Sequence, residues 1–188
     1  VLPFGILNGQ TYFFEKYGVE QGLSSSKVYS ILQDRNDWIW LGTESGVSRF
    51  NGSRFENFTS ANGIAGGGVY SMAEDTLGRI WFGHLNGGLS LWERNIFRKI
   101  TFDTITLTGD ITSIKQIRDF IWITTFANGA IRFRLPESGD TVISGKQYSG
   151  REGLSDQISS SYLGKNKDFY CVDPNFGIKI YNPGTDSF

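Results

Sequence analysis

The sequence predicts an all-β fold, a β-propeller with about four blades of four antiparallel strands, forming part of a larger ring. Three observations predict it. The stretch "DWIWLGTESGVSRFN" at 37–51 recurs as "GRIWFGHLNGGLSLW" at 78–92, "DFIWITTFANGAIRF" at 119–133 and "DFYCVDPNFGIKIYN" at 168–182. Its aromatic anchor falls at Trp40, Trp81, Trp122 and Tyr170, 41, 41 and 48 residues apart, and an upstream anchor at Val28, Val69, Ile111 and Ile158 keeps step. Each unit resolves into four short runs rich in β-branched and aromatic residues, bounded by Gly, Asn, Asp or Ser. No longer segment carries the 3.6-residue apolar period of a helix. Four strands per unit of 40–45 residues is the arithmetic of a propeller blade.

Taken in order, residues 1–10, "VLPFGILNGQ", form a tail that is apolar and then polar. They fit either the remnant of a secretory signal or an apolar N-terminus with no targeting role. The segment "TYFFEKYG" at 11–18 matches the outer strands "FENFT" and "FRKIT", and is expected to be an outer strand with no inner three before it. The partial propeller therefore spans 11–188, with blades at about 28–59, 69–102, 111–148 and 158–188. In blade one the strands are "VYSILQ", "WIWLGT", "VSRF" and "FENFT", joined by "DRND", "ESG" and "NGSR", which suit tight hairpins. The fourth copy reaches Phe188 with three strands. Either the N-terminal strand completes that blade in a small four-bladed ring, or the chain is the front part of a larger propeller; the second arrangement is favoured.

Strand alternation places Trp40 and Gly42 on one face of "IWLGT", and Trp81 and Gly83 likewise. The aromatics are expected to be inter-blade core, with the glycines leaving room for a bulky ring from the adjoining sheet. Thr124 and Val172 replace the glycine, so the later interfaces should pack differently. Arg79, Phe120 and Asp168 stand where blade one has Trp38, a position expected to be partly exposed. Cys171 aligns with Leu41, Phe82 and Ile123 and should be core.

Composition excludes several classes. Net charge is −1, and the 18 Lys and Arg residues form no basic stripe, which argues against nucleic-acid binding. No run approaches the roughly 20 apolar residues of a membrane span, so membrane attachment would need a helix of a parent protein outside this chain. One histidine and one cysteine make a zinc site improbable, and no cofactor is implied. "GGG" at 66–68 and "NGG" at 86–88 lack the lysine and strand-to-helix context of a phosphate loop. Asp34, Asp37, Glu74 and Asp75 lie at hairpin ends, where Asp bonds its own backbone. Asp103, Asp110 and Asp156 lie on links between blades. No catalytic set emerges, and the chain is not expected to be an enzyme.

"GLSSSKVYSILQDRNDWIWLGTESGVSRFNG" resembles the two-component regulator propeller repeat: a Gly-Leu-Ser loop, a Val-x-Ser-Ile strand, an Asp turn, Ile-Trp-Leu-Gly-Thr, a Gly-Val pair and an Arg-Phe-Asn end. Copy two keeps the core with His84 in place of the threonine; copies three and four are degenerate. The resemblance implies the extracytoplasmic sensor of a membrane receptor, often a hybrid histidine kinase with two seven-bladed propellers. It implies a periplasmic location and a ligand such as an oligosaccharide.

In a propeller, the loops between strands two and three and those between blades share one face around the channel. That face offers Glu44, His84, Asn86, Phe126, Asn128, Asn175 and Phe176, amides with aromatics that suit a small polar ligand. Two other functions stand beside sensing. A protein-interaction module would self-associate through exposed end blades. A propeller lyase would need His84 with an acid–base partner.

Overall fold

The computed structural model describes residues 14–188. Four antiparallel sheets follow one another along the chain as the blades of a partial propeller. Blade one is β1 (Val28–Gln33), β2 (Ile39–Thr43), β3 (Gly46–Phe50) and β4 (Phe55–Phe58). Blade two is β5 (Val69–Glu74), β6 (Ile80–His84), β7 (Leu89–Glu93) and β8 (Ile96–Phe102). Blade three is β9 (Ile111–Ile117), β10 (Phe120–Thr125), β11 (Ala130–Arg134) and β13 (Gly145–Tyr148), and blade four is β14 (Ser160–Leu163), β15 (Phe169–Asp173) and β16 (Gly177–Ile180).

The hairpins form where the turn residues place them. Asp34 Oδ1 accepts from the amides of Asn36 (2.8 Å) and Trp38 (3.1 Å), closing the β1–β2 turn. Asp75 Oδ1 does the same for Leu77 (2.9 Å) and Arg79 (3.0 Å). The second carboxylate oxygen of each reaches the repeat tryptophan: Trp40 Nε1 donates to Asp34 at 2.7 Å, and Trp81 Nε1 to Asp75 at 2.9 Å. One aspartate thus fixes the turn and satisfies a buried indole, which would otherwise carry an unpaired donor into the core.

Trp40, Trp81 and Trp122 are buried and each points to the next blade. Trp40 meets Phe82 and Trp92 at 5.5 Å, Trp81 meets Phe133 at 5.4 Å, and Trp122 meets Phe169 at 4.7 Å. Tyr170 departs from the expectation. It is only half-buried, because among the described residues no blade covers its side of the sheet. Cys171, which faces blade three, is buried as expected.

The space beside the glycines is not taken by a ring. A Cβ on Gly42 would lie 2.6 Å from the Val69 carbonyl oxygen, and one on Gly83 2.6 Å from Ile111 Cγ2. The first residue of the next inner strand fills the gap, so the glycines set how closely blades approach. Where Thr124 replaces glycine, the contact becomes polar. Thr112 gives its single proton to the Ile158 carbonyl (2.8 Å), which leaves Thr124 to donate to Thr112 (2.8 Å). Trp38 is half-buried, with the Arg49 guanidinium 4.1 Å from its ring. Arg79 corrects the expectation of partial exposure at that position. It is 3% exposed, held by Asp75 at 2.7 Å and the Pro136 carbonyl at 2.8 Å.

Two further findings concern strands. β12 (Val142–Ile143) lies in the link between β11 and β13 and pairs parallel with β8, extending blade two by a fifth strand. Sequence reading did not foresee it, although the 48-residue spacing from Trp122 to Tyr170 marks the longer copy in which it lies. The tail 1–10 and residues 11–13 lie outside the described residues, and residues 14–18 form no strand. Tyr17 nevertheless occupies the place of an outer-strand aromatic. Its ring lies 4.8 Å from Phe50 and 6.2 Å from Phe55. Phe58 lies in the same way against Trp92 (5.4 Å) and Phe97 (5.0 Å), and Tyr148 against Tyr181 and Phe188 (both 5.8 Å).

Candidate functional site

The β2–β3, β6–β7 and β10–β11 turns share one face with the links that enter each blade, and hydrogen bonds show it. The amides of Glu44, Leu85 and Phe126 donate to the carbonyls of Lys27 (3.0 Å), Gly68 (2.9 Å) and Asp110 (3.0 Å). Asp110 also ties two blades together, since its carboxylate accepts from the Asn86 amide at 2.9 Å.

The seven residues expected on this face divide into two groups. Asn86, Phe126, Asn175 and Phe176 present exposed side chains, Phe126 at 37% and Phe176 at 65%. Asn86 sits at φ 62°, a left-handed turn position that asparagine tolerates. Lys179 Nζ lies 5.4 Å from the Phe176 ring centre. The other three are engaged elsewhere. Glu44 is exposed but pairs with Lys27 Nζ at 2.9 Å, raising the lysine pKa above its ordinary value. Asn128 spends its amide on the neighbouring link, accepting from the Thr108 amide (2.8 Å) and donating to the Thr106 carbonyl (3.2 Å).

His84 is a correction. Its side chain is fully buried, with Nε2 2.9 Å from Ser90 Oγ and Nδ1 3.4 Å from the Gly67 carbonyl. Ser90 Oγ already accepts from the Ala65 amide (2.8 Å), so its proton is free for Nε2 and the ring sits as the neutral Nδ1–H form. Burial lowers its pKa to about 4. The same position has the same task in blades one and four, whereas in blade three the Thr125 hydroxyl accepts from the Asn128 amide of its own turn at 2.6 Å. Thr43 Oγ1 lies 2.9 Å from Ser24 Oγ, and Asp173 Oδ2 accepts from the Ser155 amide at 2.8 Å. Each fastens the end of strand two to the incoming link. Residue type alone singled out His84; its alignment with Thr43 was the signal of a packing role.

A recess of about 350 Å3 opens on this face between blade two and the link that follows β8, lined by Gly87, Gly88, Lys99, Phe102, Thr106 and Leu107. Sequence reading placed no site there, because the recess depends on how the link after β8 lies against the β6–β7 turn. Among the described residues no three His, Cys, Asp or Glu side chains are grouped to hold a metal ion.

Residues 22–45 and 63–86 match the family model described as the two component regulator propeller. The matched stretches are those in which the Asp–Trp bond and the packing glycine occur together. A search of the curated proteins finds no match. The fold is similar to the extracellular domain of a putative one component system from B. thetaiotaomicron, with TM-score 0.77 and 18% identity, covering 95% of this chain and 27% of that one. It is similar to the extracellular domain of a putative hybrid two component system from the same organism, with TM-score 0.59 and 21% identity, covering 93% and 31%. A third similar structure is PorZ, a surface component of the type-IX secretion system of Porphyromonas gingivalis, with TM-score 0.68 and 12% identity, covering 84% and 25%. The chain thus spans between a quarter and a third of the length of these structures.

Proposed function

We propose that this chain is a ligand-sensing propeller segment of a two-component receptor, working outside the cytoplasmic membrane, in the periplasm. The observation that carries the reading is the match of residues 22–45 and 63–86 to the two component regulator propeller. The fold shared with two extracellular domains of signalling systems supports it. In this reading the four blades belong to a seven-bladed ring, and the segment binds without catalysing.

The ligand is a neutral oligosaccharide that meets the face of the strand two–three turns. Phe126 and Phe176 offer rings against which a sugar can stack, and the Asn86 and Asn175 amides offer both donors and acceptors. A thermal-shift screen against neutral oligosaccharides, repeated with Phe126→Ala and Phe176→Ala, tests this. A stabilising sugar whose effect is lost in either variant supports the site. No stabilising sugar, or one indifferent to both variants, removes it.

The second reading, self-association, has its own observation. Tyr162, Val172, Ile178 and Ile180 on blade four are between 40% and 72% exposed. Exposed apolar sheet of this kind marks association sites. Sedimentation equilibrium that finds only monomer at high concentration would end it.

A further inference from the structure

A second concavity lies at the opposite end of the blades from the sensing face. It is a groove of about 710 Å3 along the inner strands β1, β5, β9 and β14 and the turns that follow them. Its floor is aliphatic, with Leu32, Met72, Ile117 and Leu163, all half-buried. Its charged lining is Arg35, Glu74, Asp75, Lys115, Arg118 and Lys167.

The distribution of partners among these groups is uneven. Arg35 is a staple between blades one and two, paired with the Glu74 carboxylate and donating through Nη2 to the Asp75 carbonyl at 2.7 Å. The Asp75 carboxylate is committed to Arg79 and Trp81. Gln116 is likewise committed, accepting from the Thr76 amide at 2.7 Å and donating to the Arg118 carbonyl at 2.7 Å. Both carboxylates are therefore used, whereas Lys115, Arg118 and Lys167 take part in no ion pair among the described residues. Lys115 is half-buried and lines the groove beside Ile114 and Ile117, with its charge in no ion pair among the described residues. Such an arrangement draws an anion into the groove, and low-dielectric walls strengthen the attraction.

We propose that this groove binds an organic anion with an aliphatic body. Its carboxylate or sulfate lies among Lys115, Arg118 and Lys167, and its chain covers Leu32, Met72 and Leu163. Aromatic side chains that would stack a sugar do not line this groove, which separates its ligand from the one proposed for the opposite face.

Octanoate is the probe, titrated into the protein by calorimetry with amide shifts followed by nuclear magnetic resonance. Saturable binding is expected, with the largest shifts over 114–118 and 163–167. Lys115→Gln and Arg118→Gln together should weaken it at least tenfold, while near-ultraviolet circular dichroism stays unchanged. Lys99→Gln, at a lysine outside the groove, should leave it unchanged. Octanol, with the same tail and no charge, and inorganic sulfate, with charge and no tail, should each bind at least tenfold more weakly. Absence of saturation, indifference to the double variant, or equal binding of octanol or sulfate would overturn the proposal. The sensing face lies at the other end of the blades, so failure here leaves the oligosaccharide test standing, and the reverse.

Discussion

On the side of blade four that faces blade three, Phe169 and Cys171 are buried beneath Trp122. On the other side of the same strand Tyr170 is half-buried and Val172 is 40% exposed, with Tyr162, Ile178 and Ile180 more exposed still. Both sides carry apolar side chains, and only one has a neighbour. The contrast teaches that a blade does not bury its repeat aromatic by itself; the following blade does. Tyr17 makes the complementary point at the other end, lying on Phe50 and Phe55 as the outer strand of a preceding blade would.

The covered side can be broken in several ways. Trp81→Ala removes a ring buried between blades two and three together with the partner of Asp75. A loss of about 3–5 kcal/mol is expected, read by urea unfolding. Acid acts on the same interior through His84. Its pKa is about 4 in the folded state and near 6.5 when exposed, so the unfolded chain takes up the proton first. Stability is full above pH 6.5 and falls as pH drops toward 4, by roughly 3 kcal/mol from this residue. His84→Gln should flatten that part of the profile relative to the parent chain.

Gly83→Ala forces a methyl against Ile111 and the Ser71 hydroxyl, and a loss of about 1–3 kcal/mol is expected. A glycine at Thr124, where the space is already built for a side chain, should not relieve anything, and would remove the bond to Thr112. The smallest effect sharpens the contrast chemically. Burial pushes the Cys171 thiol up to about 12, so it should resist a thiol reagent at pH 8 in the native protein and react fully in urea. Labelling without denaturant would show that blade four opens away from blade three.

The blade architecture was legible because period, turn chemistry and strand alternation all point the same way. Asp34 and Asp75, Trp40 and Trp81, and Gly42 and Gly83 each recur at a fixed offset. What the glycines accommodate was not legible, since it depends on where the next inner strand begins. β12 escaped because two residues carry no period. The candidate face was legible as a surface and less so residue by residue: Asn86, Phe126, Asn175 and Phe176 are exposed, whereas Asn128 and His84 are occupied by the packing of loops. The groove at the opposite end joins residues from four blades, and no local pattern announces it.

Burial of the repeat aromatic comes from the neighbouring blade. Its most direct test is to compare Trp122→Ala with Tyr170→Ala in the same chain by equilibrium unfolding. Trp122 is 2% exposed beneath blade four, and Tyr170 has no blade above it among the described residues. Trp122→Ala is expected to cost about 3–5 kcal/mol and Tyr170→Ala no more than about 1 kcal/mol. Equal costs for the two would contradict it.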